Sequence, residues 1–250
     1  MNNRALQAIF MVVTPLVLIA IWWAYVRIFN VPRFVLPPPA AVGSALIALF
    51  RDGTIWPHLA HTLGIILAGF GIGSALGFVL GFILAKSPRT ERIIGPYLFF
   101  FQTAPKIALA PLFILWFGLG LTSQIVLAVS LVFFPVMAGT ILGLRSVPAN
   151  FGFLADILHL TRRDRLVRIE LPSAVPEIFA GLKVGAVQAT IGAILAEWLS
   201  GGRGLGYLMV FAGTTYKTPM LFAMVLVTSL LGILIYQSLA GLEKWLLSWR

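Results

Sequence analysis

Three polar side chains and two prolines interrupt one of the long apolar stretches of the chain. Gln102, Thr103 and Lys106 carry the polar groups, and Pro105 and Pro111 break the helical pattern around the lysine. Irregular backbone and a cation are tolerated at membrane depth only where they face protein or a water-filled cavity. This set therefore predicts the passage of a polar solute. Alternatively, Lys106 extends along its apolar stem to the nearer membrane surface.

Two further polar side chains, Gln188 and Thr190, lie in another apolar stretch. With the first three they are the best candidates to line a water-filled route. Glu197 follows in the same stretch, shortly before Arg203. The simplest interpretation is an ion pair between these two at the membrane surface. A proton relay would need further buried acids, and no predicted span holds a second one near mid-depth.

The sequence predicts no catalytic site, metal site or cofactor of its own. It contains no cysteine, which excludes a thiol nucleophile and a cysteine-built metal site. His58, His61 and His159 are predicted on opposite sides of the membrane, so we expect no shared metal. A phosphate-binding loop of the form GxxxxGKS or GxxxxGKT does not occur. We therefore do not expect the chain to hydrolyse nucleotide by itself.

Long uncharged stretches predict an all-α integral membrane protein. Hydrophobic residues make up 60% of the chain and charged residues 10%, and about 20 apolar residues cross the hydrocarbon core as a helix. The runs are long and do not alternate at period two, which favours a helical bundle. The six predicted transmembrane helices cover residues 5–28, 62–85, 95–117, 122–144, 173–200 and 219–242.

The charges between the spans predict the orientation. Six spans place both termini on one side, where the loops hold eleven Lys and Arg residues against five on the other side. Because cytoplasmic loops are enriched in these residues, we expect both termini in the cytoplasm. The net charge of +10 then reflects membrane topology, with lipid as the surroundings, and we expect no nucleic-acid binding.

Glycine patterns predict how some of these elements pack. Four glycines recur every fourth residue in the second span and share one face, which another helix can approach closely. They are Gly69, Gly73, Gly77 and Gly81. On the outer side, residues 40–51 predict a helix on the membrane surface. The glycine-rich residues 200–219 predict a gate loop instead of another span.

A charged segment, residues 151–172, stands between two apolar spans. It carries four arginines and ends in Leu171-Pro172, and its apolar residues form a stripe typical of a short helix. Such an insert between membrane spans predicts a docking element for a partner protein.

Four blocks of sequence resemble one known family. They read LPPP at residues 36–39, HLAHTL at 58–63 with Gly69-Phe70, PKIALAPLFILWFGLGLTS at 105–123, and GRGLGY at 202–207. Over residues 30–245 the chain is similar to the membrane permease subunit of type I ATP-binding-cassette importers, in the nitrate, sulfonate and taurine branch. The third block is the most specific of the four.

The resemblance gives residues 151–172 a role. Family permeases carry a cytoplasmic coupling helix that rests on the ATPase, with the pattern Glu-Ala-Ala, three residues, Gly, nine residues, Ile, one residue, Leu-Pro. Ala155 and Ile169 match this pattern, but His159 replaces the Gly. Phe153 and Leu154 replace the Glu and the first Ala. The residues expected at the ATPase are Phe153, Leu154, Ala155, Ile157, Leu158 and His159, with Leu171 and Pro172 closing the segment.

The resemblance also implies the fold and the partners. The fold is the six-span type I permease fold, and the expected location is the bacterial inner membrane. Expected partners are a second permease copy, ATPase subunits that hold ATP and Mg, and an external or periplasmic solute-binding protein. Glu197, Arg203 and Tyr207 would form the outer gate or dock the binding protein.

The expected activity is import by alternating access of a small solute of the sulfonate, nitrate, aromatic, pyrimidine or flavin type. The competing class is a stand-alone secondary transporter or channel. That class predicts an internal repeat with ion ligands at mid-membrane, and the sequence shows neither.

Overall fold

Every regular element that the structure describes is helical. The computed structural model describes residues 3–247, without the side chains of 3–12, Ala149, Phe153, Leu154 and Asp156. The α-helices in chain order are α1 (Asn3–Ile28), α2 (Pro39–Arg51), α3 (Ile55–Lys86), α4 (Pro88–Thr103), α5 (Ala110–Phe117), α6 (Leu121–Arg145), α7 (Ala149–Ile157), α8 (Arg162–Arg165), α9 (Leu171–Ser200), α10 (Leu205–Thr214) and α11 (Thr218–Leu246). A 3₁₀ helix at Lys106–Leu109 precedes α5, and a π-helix at Leu166–Glu170 joins α8 to α9.

Four stretches of the described chain are long and apolar enough to cross a membrane: α3, α6, the continuous helix Arg162–Ser200, and α11. The pair formed by α4 and Lys106–Phe117 provides a fifth if it is one span. These helices overlap the predicted spans two to six, whose bounds in a membrane stay a prediction. The predicted first span coincides with α1, of which Val13–Ile28 has described side chains. The count of six spans stays a prediction.

The third span is broken where its sequence predicts an interruption. The two halves meet at an angle of 86°. Pro105 explains the position of the break, because the ring of a proline disfavours helical backbone at the preceding residue. Accordingly, Ala104 has an extended conformation, with φ −59° and ψ 136°.

Helix α6 lies at the centre of the bundle between α3 and α9, and glycines permit both contacts. On the α3 side, a Cβ added at Gly69 would lie 2.5 Å from Ala128 Cβ. The same addition at Gly77 would lie 2.6 Å from the Phe133 carbonyl oxygen. On the α9 side, a Cβ at Gly181 would lie 2.7 Å from the carbonyl oxygen of Pro135. The predicted close approach along the glycine face of α3 is therefore confirmed, with α6 as the partner.

Two predictions about segments between the apolar spans need correction. Residues 200–219 contain a ten-residue helix, α10, which is too short to span a membrane and which the density of glycines concealed. It packs against α2, α3 and α11 through a buried cluster that includes Leu205, Met209 and Met224. The short helix expected at 151–161 is α7, which begins earlier and ends at Ile157. The predicted surface helix is present as α2.

The π-helix before α9 has a cause in the sequence. Pro172 has no N–H for the helical bond to the carbonyl of Arg168, and its ring would clash with that carbonyl in a regular α-helix. The wider turn at Leu166–Glu170 lets the helix continue through the proline. Arg162–Ser200 therefore forms one helical path from the arginine-rich segment to Glu197.

Candidate functional site

The bundle has two polar ends. The Glu197 end comprises the beginnings of α3 and α6, the end of α9, and α10. The arginine end comprises the ends of α3 and α6, residues 149–170, and the beginning of α9. The broken third span lies between them and holds Lys106.

Lys106 is partly buried at the break and has two partners. Its ammonium donates a hydrogen bond to the carbonyl oxygen of Gln102 over 2.9 Å. It also lies 4.8 Å from the centroid of the Phe134 ring on α6. The first contact satisfies a carbonyl in the last turn of α4, and the second is a cation–π contact. The lysine is thus held at the break, partly buried against α6.

The other predicted pathway residues lie on different faces. Gln102 and Thr103 are exposed near Lys106, and the Thr103 hydroxyl donates to the Phe100 carbonyl oxygen over 2.9 Å. Thr190 borders a cavity of about 550 Å³ between α9 and α11. Gln188 is half-buried and lies close to the face of α9 that packs on α6. Within one copy of the chain, Thr190 is the only one of the five at that cavity.

Glu197 is completely buried near the end of α9. The Thr62 hydroxyl on α3 donates to its Oε1 over 2.7 Å, and the Gly206 N–H donates to its Oε2 over 2.7 Å. The Leu205 N–H in turn donates to Thr62 Oγ1 over 2.9 Å. The expected surface ion pair with Arg203 is therefore wrong, because both oxygens are bonded to neutral donors inside the protein. One of these donors, the N–H of Gly206, belongs to the first turn of α10, where the helix dipole favours a carboxylate.

The glycine-rich turn before α10 fits against this carboxylate only because it lacks side chains. Gly204 has φ +111°, and a Cβ there would overlap the carboxyl group of Glu197. The N–H of Gly204 donates to His58 Nδ1 over 3.0 Å. The His58 ring stacks on the ring of Tyr207, with centroids 5.9 Å apart. Tyr207, predicted at the gate, therefore belongs to this network, whereas Arg203 has no direct bond to Glu197.

A second set of hydrogen bonds ties α6 to the same end. His61 Nε2 lies 3.0 Å from Gln124 Oε1, and the Gln124 amide donates to the Ser200 hydroxyl over 2.5 Å. Sequence reasoning did not assign roles to Thr62, Gln124 or Ser200. A signal was present for the threonine, because His58 and Thr62 are four residues apart on one helix face within a block that carries the family resemblance.

The arginine end is held by ion pairs whose basic partners are about half exposed, whereas Glu170 is mostly buried. Lys86 and Arg165 both pair with Glu170, the second over 3.3 Å. Arg145 pairs with Glu91, with a shortest distance of 2.5 Å. Such surface pairs contribute roughly 0 to 1 kcal/mol each. They orient the segment before α9 more than they stabilise the fold.

Residues 149–160 leave apolar surface uncovered. The side chain of Ala155 is buried with 2% of its surface exposed, whereas Ile157 and Leu158 are 74% and 57% exposed. His159 follows with φ +49°, a left-handed conformation that favours glycine. Phe153 and Leu154, also predicted to face the ATPase, lie outside the described side chains. Leu171 and Pro172 are half-buried at the start of α9.

Among residues with described side chains, no group of three His, Asp or Glu side chains could hold a metal ion. The described residues combine an exposed apolar tip, a continuous helix and a broken pair of helices.

Comparisons with known proteins point to one function. A family described as the inner membrane component of binding-protein-dependent transport systems matches residues 73–248. ThiX of Halalkalibacterium halodurans, a formylaminopyrimidine transport permease protein, is 36% identical over 99% of this chain and 98% of its own length. RibX of Chloroflexus aurantiacus, a riboflavin transport system permease protein, is 34% identical over 95% and 89%.

SsuC of Bacillus subtilis, a putative aliphatic sulfonates transport permease protein, is 33% identical over 94% of this chain and 86% of its own length. The solved structure of an amino acid ABC transporter with histidines matches with a TM-score of 0.58 at 16% identity. This match covers 80% of this chain and 95% of that one. The likeness to that structure concerns the fold.

Proposed function

Because the chain belongs to the family of inner membrane components of binding-protein-dependent transport systems, we propose that a separate ATPase drives it through residues 151–172. It is the permease subunit of an ATP-binding-cassette importer, and ATP hydrolysis belongs to another subunit. A stand-alone secondary transporter is not favoured, since relatives similar over nearly the whole chain are permease proteins of transport systems.

The geometry of residues 155–159 is the observation that carries the docking proposal. Ala155 is buried while Ile157 and Leu158 project from the molecule, so the segment presents apolar side chains that its own chain does not cover. At the position of the family's glycine, His159 adopts the left-handed backbone that glycine favours. Although His159 departs from the family pattern, the backbone turn that the pattern's glycine allows is therefore still present. The partner that this family implies is an ATPase, whose groove would receive these side chains.

Replacement of Leu158 by Asp tests the docking. Moving a carboxylate into an apolar groove costs several kcal/mol, so we expect loss of the ATPase from the purified permease. Leu158→Met is the matched control, because methionine keeps the apolar character and approximate size, and it should retain the ATPase. Full assembly and ATP-dependent uptake with Leu158→Asp would overturn the proposal.

The working unit would contain two copies of this chain, ATPases that bind ATP and Mg, and an external binding protein. One copy cannot enclose a route alone, and a large apolar surface of α1 and α4 is exposed in the single chain. The distribution of Lys and Arg between the two ends supports an inner-membrane orientation with both termini in the cytoplasm. In that orientation the arginine end faces the ATPase and the Glu197 end faces the binding protein.

We infer that transport follows alternating access. Closure of the ATPases would move residues 151–161, and the continuous helix Arg162–Ser200 would carry the movement to the Glu197 end. Solute would pass the broken third span and α9, near Gln102, Thr103, Lys106, Gln188 and Thr190. The support is that Lys106 lies partly buried at a break in the helices, with no carboxylate among its described partners.

For the solute we propose a small aromatic or heteroaromatic compound. The cavity beside Thr190 has an uncharged lining that includes Trp198, Tyr236 and Gln237. Such a lining suits a planar neutral guest with polar edges. ThiX and RibX are named for formylaminopyrimidine and riboflavin, which have this character. Sulfonates, named for SsuC, are the second candidate, and Lys106 would then lower the barrier for the anion.

A further inference from the structure

We infer that Glu197 and Thr62 are positioning residues that fasten α10 to the end of α9 and the beginning of α3. The three elements then move as one body when the importer changes state. This inference rests on the proposed function, because it assumes that α9 is moved from the arginine end. It names the contacts through which the outer gate would follow that movement.

The hydrogen bonds of Glu197 join separate parts of the chain. The carboxylate belongs to α9, one of its donors is a hydroxyl on α3, and the other is a backbone N–H in the first turn of α10. Since the carboxylate is completely buried, water does not compete for these bonds, and each broken bond leaves a buried polar group without a partner. Separation of α10 from α9 is therefore strongly disfavoured.

Thr62 connects α3 to α10 as well as to α9. Its hydroxyl donates to Glu197 and accepts from the N–H of Leu205. A single side chain on α3 thus holds both the carboxylate of α9 and the second donor at the start of α10. No other residue type of this size offers a donor and an acceptor on one atom, except serine.

The turn before α10 is shaped to reach this carboxylate. A side chain at Gly204 would overlap the carboxyl group, and a Cβ at Gly206 would lie 2.6 Å from the carbonyl oxygen of Ile194 on α9. The backbone of the turn therefore lies directly against α9, with no intervening side chain that could bend. Close backbone contacts of this kind have low compressibility, so a displacement of α9 is passed on to the turn.

The helix that carries Glu197 is suited to transmit movement. Arg162–Ser200 is helical throughout, and its prolines, Pro172 and Pro176, are near its start. Beyond Pro176 the helix contains no proline and packs closely on α6 through glycines such as Gly181 and Gly192. From Glu177 to Ser200 the helix has no proline or π-turn and moves as one piece, whereas the π-helix at Leu166–Glu170 and the two prolines are the positions at which it can bend. Movement that passes these positions reaches Glu197, and the Glu197–Thr62 contacts pass it to α10.

Substitution of Thr62 by Val removes the hydroxyl but keeps the shape. In the complete complex, reconstituted in liposomes with its binding protein, we expect ATP-dependent uptake per ATP hydrolysed to fall about tenfold, as for loss of about 1.4 kcal/mol of coupling. Thr62→Ser should restore it. Thr140→Val is the matched control, since Thr140 is equally buried but bonds only to its own helix, and it should transport like the native complex.

A distance measurement separates positioning from a purely structural role. Because the chain has no cysteine, spin labels can be attached at Trp56→Cys on α3 and Phe211→Cys on α10, both exposed positions. Labelled copies are diluted with unlabelled ones, so that only distances within one copy contribute. We expect one narrow distance that is the same with and without ATP. With Thr62→Val in addition, it should broaden and become dependent on nucleotide.

Two outcomes of these experiments would contradict the inference. A distance that changes with ATP in the otherwise native protein would show that α10 moves independently, and native transport by Thr62→Val would show that the hydroxyl is dispensable. Either result overturns the inference while leaving the proposed function intact, because assembly with the ATPase is measured in the same preparations. Failure of the unsubstituted permease to bind an ATPase would instead contradict the proposed function.

Discussion

The two polar ends of the bundle satisfy their polar and apolar groups in opposite ways. At the Glu197 end, a buried carboxylate, a threonine hydroxyl and the first N–H groups of α10 bond to one another within the chain. At the arginine end, exposed ion pairs surround a tip whose Ile157 and Leu158 side chains remain uncovered. The first end pairs its buried polar groups within the chain, and the second leaves apolar side chains uncovered.

The difference indicates which end is rigid and which end can exchange its contacts for contacts with another protein. Buried hydrogen bonds are expensive to break because their groups lose their partners without gaining water. Exposed ion pairs and apolar contacts can be remade with another protein at small cost. An importer driven from one end needs a docking surface there and a stiff connection at the other.

Among the substitutions that test this difference between the two ends, Gly204→Ala should cause the largest loss of stability. The added methyl group overlaps the carboxyl group of Glu197 at a backbone φ of +111°, so we expect a loss of stability of at least about 3 kcal/mol. Thermal unfolding of the detergent-solubilised complex and uptake measure it. Gly201→Ala is the control, because its backbone (φ +66°, ψ −166°) is likewise one that only glycine adopts readily, at a cost of about 1 to 3 kcal/mol for alanine, but nothing lies within 4 Å of the new Cβ. Equal effects of the two would show that overlap with Glu197 does not matter.

Removal of the charge of Lys106 should have an intermediate effect, located between the two ends. Lys106→Met keeps the apolar stem but removes the donor to Gln102 and the cation above Phe134. We expect solute transported per ATP to fall about tenfold, which corresponds to about 1.4 kcal/mol. Lys106→Arg keeps charge and donors and should retain most transport. Native transport by Lys106→Met would leave the lysine only the task of capping α4.

The smallest effect is expected from His159→Gly at the arginine end. Glycine adopts the φ of +49° without the penalty of a side chain, which is worth about 1 kcal/mol. The midpoint of thermal unfolding should rise by about 2 °C, with the ATPase still bound. His159→Val should lower the midpoint, since a β-branched residue is poorly tolerated at positive φ. Loss of the ATPase in His159→Gly would show that the imidazole itself contacts the partner.

Local sequence patterns predicted much of the fold. The period-four glycines of α3, the break at Pro105 and the extents of spans two to six follow from steric rules and from hydrophobic length, which act over a few turns of one helix. The helix α10 was missed because glycines at its start read as loop, although they serve to bring its first turn against α9. The exposed surface at Ile157 and Leu158 was expected, since an apolar stripe in a charged segment has few other uses.

The sequence by itself indicated the class of the protein, its long apolar helices and a charged segment with an apolar stripe, because these depend on composition and short-range spacing. Only the tertiary structure decided the environment of Glu197. Its partners, Thr62 and Gly206, lie on α3 and α10, and Thr62 is 135 residues away in the chain. A carboxylate near a glycine-rich turn is compatible with a surface ion pair or with a buried network. The packing of α3, α9 and α10 around it excludes water and selects the second.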